Sequence, residues 1–78
     1  SMKKRQRWPE SAEQRRIEAV ALLASIQELA DAAFDALESG DAVATARLLG
    51  RLKNKASKGF YLLHDMPEMW AYDNEIDD

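Results

Sequence analysis

His64, the only histidine, stands next to Asp65 and four residues before Glu68, and this is the one cluster whose residue types match metal ligands. A structural or catalytic zinc site needs three or four such donors converging on one point. Pro67 falls inside the cluster and breaks the helical spacing that a ligand pair on one face would need. His64 is therefore read as a helix-end residue, favourably placed near a negative helix C-terminus, and neither metal nor cofactor is expected.

Nucleophilic chemistry fares no better. A serine nucleophile needs a base and a group that orients the base, and no G-x-S-x-G elbow is present. Ser11 and Ser39 read as helix-end residues, Ser25 and Ser57 as outward-facing ones. The stretch from Gly50 to Gly59 contains Gly, Lys and Ser but lacks the order of a phosphate-cradling loop. The chain is expected not to be an enzyme.

Charge and aromatic placement point instead to binding. Arg47, Arg51, Asn54, Lys55 and Lys58 recur at three- and four-residue steps, a basic ridge along one helix side. Glu28, Asp31, Asp35 and Glu38 make an acidic ridge on the preceding helix, and a rotation count sets the two ridges on different sides of an antiparallel pair. The basic ridge is thus left for solvent, a second subunit or a partner. Trp8 and Trp70, each next to or near a proline, and Tyr72 are candidate partner anchors, because large amphipathic rings dominate interface energetics. The competing expectation for the tryptophans is that they pack on the hairpin ends, with Trp8 meeting the end of the second helix.

These residues must be positioned by helices. Ser11 followed by Gln14 makes a capping box, with Pro9 tolerated at a helix start. Ala19, Leu22, Leu23, Ile26, Leu29, Ala30, Ala33, Phe34 and Leu37 then recur with the amphipathic period, predicting a helix over about 11–38. Ser39, Gly40 and Asp41 end it and cap the next, which is predicted over about 42–65 with Leu48, Leu49, Leu52, Ala56, Phe60, Leu63 and Met66 on one face. Gly59 marks either a close helix approach or a break at Lys58. Pro67 stops the second helix, and the segment from Glu68 to Tyr72 is read as a further helical turn or two. The acidic residues after Tyr72 are read as disordered.

The fold class is therefore all-α: residues 1–8 a basic arm, 9–66 an antiparallel helical hairpin, and 67–78 an aromatic and acidic tail. The apolar arc of the first helix is about 140° wide, more than the seam one partner helix covers. Seventy-eight residues bury only about 60% of the surface of the unfolded chain, and without cysteines no disulfide assists. A homodimer closing into a four-helix bundle is the expected remedy, with Leu22, Ile26, Leu29, Ala33, Leu52, Phe60 and Leu63 as core and dimer contacts.

The longest apolar run, Ala19 to Ala24, is far short of a membrane span, so a soluble, cytoplasmic protein is expected. Ser1 ahead of Met2 reads as a remnant of tag removal, with a complete small protein starting at Met2. The expected function is that of a non-catalytic regulator or inhibitor of phage or plasmid type, acting by protein–protein binding through Trp8, Trp70, Tyr72 and the basic ridge. The alternative is a nucleic-acid-binding regulator in which Lys3, Lys4, Arg5, Arg7, Arg47, Arg51, Lys55 and Lys58 contact phosphates. The net charge of −3 weighs against bulk non-specific binding of that kind.

Overall fold

Three helices follow one another: α1 (Ala12–Glu38), α2 (Ala42–Leu63) and α3 (Pro67–Ile76). The structure, a computed structural model, describes residues 7–76, with side chains over 7–72. The expected roles of Lys3, Lys4, Arg5, Asp77 and Asp78 lie outside the described residues.

Each helix end is closed by its own local chemistry. Ser11 is the N-cap of α1, and its hydroxyl accepts from the backbone N–H of Gln14 at 3.0 Å. At the other end Gly40 takes φ +85°, which lets its N–H reach Leu37 O at 3.0 Å and the Asp41 N–H reach Ala36 O at 2.9 Å. This double closure of the last carbonyls favours glycine because a Cβ is disfavoured at positive φ. Asp41 also caps α2, its carboxylate accepting from the Ala44 N–H at 3.0 Å. One residue thus ends the first helix and begins the second, and the reversal is complete within Ser39, Gly40 and Asp41.

The reversal makes α1 and α2 antiparallel neighbours, and they form the main packing interface. Its line on α1 is Ala19, Leu29 and Ala33, all buried, with Leu22 and Ile26 half-buried beside them. On α2 the most buried side chains are Thr45 and Leu62, with Leu48 and Leu52 half-buried. Thr45 satisfies its hydroxyl by donating to Asp41 O at 2.8 Å, so a polar group is buried at little cost. The helix continues unbroken through Gly59, and a Cβ there would stand 3.9 Å from Leu22 Cδ1, an ordinary contact. Gly59 therefore marks neither a helix break nor an enforced close approach.

α2 ends at Leu63, two residues short of the expected boundary, because the chain turns at Asp65 with φ 55°. The Met66 N–H then closes back on Tyr61 O at 2.9 Å, the same type of closure as at Gly40 but with a non-glycine residue at the left-handed position. Pro67 begins α3, where its missing N–H is no loss and its φ suits the first helical turn. The helix runs ten residues to Ile76, longer than a turn or two, and carries Asp73 and Glu75 as helical rather than disordered residues. α3 packs against α2 and brings Trp70 to 3% exposure.

Candidate interaction surface

The end of the hairpin where α1 begins and α2 finishes is closed by aromatic packing. Trp70 meets Trp8 edge-to-face, with ring centroids 5.5 Å apart and planes at 78°. The Arg15 guanidinium lies 5.5 Å from the centre of the Trp8 ring and donates to Pro9 O at 2.8 Å. Pro9 is buried, and Leu62 is the most deeply buried large side chain at 2% exposure. The edge-to-face pair and the cation over the ring each add to what area burial alone supplies. Trp8 thus sits at the hairpin end, but its ring meets Trp70 of α3 and Arg15 of α1 where the expectation named the end of the second helix. Trp70, named as a partner anchor, is turned inward and offers its indole to Trp8 rather than to the surface. Tyr72 is exposed, as is Met69 beside it on α3.

The opposite situation holds along one side of the hairpin. Leu23, Phe34 and Leu37 on α1 and Leu49, Phe60 and Leu63 on α2 are each between 51% and 65% exposed. At 100° per residue, Leu23, Ala30 and Phe34 lie some 60° to 100° round from the line that faces α2, and Leu49, Ala56 and Phe60 lie about as far round from the line that faces α1. In an antiparallel pair, flanks of the same rotational sense come to the same side. Leu23, Ala56, Phe60 and Leu63 do line one groove of about 240 Å³ together with Leu22 and Ile26 at its floor. Phe60 is held within this face by His64, whose ring stacks on it at 4.1 Å between centroids, and by an edge contact to Tyr61 at 6.0 Å.

Among the residues expected at the core and dimer contact, Leu29 and Ala33 are buried, Leu22, Ile26 and Leu52 are half-buried, and Phe60 and Leu63 stand on the open face. Leu62 and Thr45 were not expected in the core. Leu62 lies at the margin of the apolar stripe of α2, and no periodicity marks a buried threonine.

The basic ridge is divided. Arg47 and Arg51 are exposed, Lys55 is half-buried and lines the apolar groove, and Asn54 and Lys58 are half-buried and already engaged in contacts. Arg16 pairs with Glu13 across one helical turn at 3.5 Å, an exposed pair of small energetic consequence. Among the described residues no group of three or more His, Asp or Glu could hold a metal ion, and no helix is long and apolar enough to cross a membrane. The open face presents apolar area rather than a cluster of polar groups.

No protein-family model, curated protein or solved structure matches this chain.

Proposed function

We propose that this chain is a non-catalytic helical protein, a regulator or inhibitor that acts by protein–protein binding, with the open apolar face of the hairpin as its contact surface. The observation that carries the reading is that six large apolar side chains of α1 and α2 are each more than half exposed, with Leu23, Phe34, Leu49 and Phe60 on one flank of the pair by helical count. With aliphatic and aromatic side chains of this size carrying on the order of 200 Å² each, they present roughly 700 Å² of apolar surface, above the 300 to 600 Å² of the largest patch on a typical monomer. Such a face is matched by another amphipathic helical surface. Its simplest occupant is a second copy of the hairpin, which gives a homodimeric four-helix bundle.

Nucleic-acid binding has less behind it, because two of the four cations of the basic ridge, Lys55 and Lys58, are half-buried and Lys55 belongs to the apolar groove. The reading is tested by sedimentation equilibrium from micromolar to millimolar concentration, alongside the Phe34→Glu variant. The expected result is reversible dimerisation of the parent chain and a monomeric, fully helical variant. A parent chain that is monomeric throughout overturns the dimer. Retention on a phosphate-bearing column that Phe34→Glu leaves unchanged and Arg47→Glu with Arg51→Glu abolishes would replace the reading with the nucleic-acid one.

A further inference from the structure

Resting on the dimer reading above, we propose how the second copy sits: its α2 lies over α1 of the first copy and its α1 over α2, about a two-fold axis parallel to the helices. In that arrangement the second copy's Lys53 meets Gln27 and Asp31.

The area argues for a second copy as the occupant. Roughly 700 Å² of apolar side chain on each hairpin comes close to the 800 Å² per partner of a standard stable interface, and a self-complementary face closes on itself without leaving an edge. The groove at Leu23, Phe60 and Leu63 is filled when the same three side chains of the other copy approach at the same height. An axis parallel to the helices brings them there, because that rotation leaves height along the helix unchanged.

The flanks select between the two ways of stacking one hairpin on another. Continuing round from the apolar stripe by some 40° to 80°, the polar residues on α1 are Gln27 and Asp31, and Glu38 lies on the same flank. By the same count the next residue on α2 is Lys53, with small residues on either side of it. All four are exposed. Height follows from the contact of Leu22 with the Gly59 position. Six residues toward the connection on both helices, Glu28 and Lys53 are level. An α1-on-α2 stack therefore sets the second copy's Lys53 beside Gln27 and within one helical turn of Asp31. The alternative, with its axis perpendicular to the helices, stacks α1 on α1 and α2 on α2. It sets the acidic flank of α1 against itself and the lysine flank of α2 against itself. Flanking charges of this kind contribute little affinity but decide which helix neighbours which.

Cysteine cross-linking tests the arrangement, since the chain has no cysteine of its own. Gln27 and Lys53 lie on opposite outer flanks of one hairpin, beyond the reach of a disulfide within the chain. The double variant Gln27→Cys with Lys53→Cys is expected to form a covalent dimer under mild oxidation, while each single variant remains non-covalent. Covalent dimers from either single variant, or none from the double variant while sedimentation shows a dimer, would overturn the arrangement and leave the dimer standing. Monomers by sedimentation would overturn both. As a second readout, Lys53→Glu is expected to raise the dimer dissociation constant about threefold to tenfold, with Asp31→Lys in the same chain restoring it. Additive effects of the two changes would count against the pairing.

Discussion

The hairpin end around Trp8 and Trp70 and the open face around Phe34 and Phe60 are built from the same kinds of side chain put to different use. At the end, a proline-started helix folds back so that Trp70 is 3% exposed and each ring has a partner. On the open face, phenylalanines and leucines stand more than half exposed, with the rings of His64 and Tyr61 against Phe60. The third helix is used at the end and not over the face. The chain closes one end of the hairpin around its aromatic rings and leaves large apolar side chains of both long helices exposed.

The contrast can be broken most forcefully at the closed end. Trp70→Ala removes a large, fully packed ring and is expected to cost about 3 to 5 kcal/mol, a large part of the stability of so small a chain. Urea unfolding followed by far-ultraviolet circular dichroism measures it, and a loss below 1 kcal/mol would show that the end is not the folding anchor. The Phe34→Glu variant behaves in the opposite sense. Its free energy of unfolding as a monomer is expected to stay within about 0.5 kcal/mol of the parent, as for surface positions generally, while about 1.5 to 3 kcal/mol of association energy per copy is lost. Equal losses in both quantities would erase the distinction between end and face.

Smaller effects sharpen the comparison by testing the turns that hold both regions in place. Asp41→Ala removes the side chain that caps α2 and is expected to cost about 1 kcal/mol, read as a shift in the urea midpoint. Asp65→Gly relieves a left-handed backbone at a non-glycine position and is expected to stabilise the chain by up to about 1 kcal/mol. A destabilised Asp65→Gly would mean that the aspartate side chain itself holds the turn into α3.

Two features explain why the hairpin was legible in the sequence and its core only partly so. Ser11, Gly40 and Asp41 fix the helix ends through hydrogen bonds that span three to five residues, and such short-range chemistry can be read directly from residue order. The spacing makes the apolar stripe of α2 one face, yet it serves two directions. Leu62 at one margin is buried inside the hairpin, and Phe60 at the other points outward. The centre of a stripe does not say where one interface stops and the next begins, so the spacing joins core and dimer contacts, Phe60 and Leu63 included, in one set and leaves Leu62 outside it.

Trp70 shows the same limit for a single residue. Its neighbours, a proline, charged side chains and a methionine, suit an exposed anchor and a buried ring equally well, and only the direction in which α3 leaves the turn at Asp65 decides between them. The sequence by itself determined the two long helices, their caps and their antiparallel pairing, because helix periodicity and end chemistry are local properties of the chain. Which apolar side chains are buried within the hairpin and which form an open face was decided only by the tertiary structure, because burial depends on how far each helix is rotated toward its neighbour and on where the third helix comes to rest.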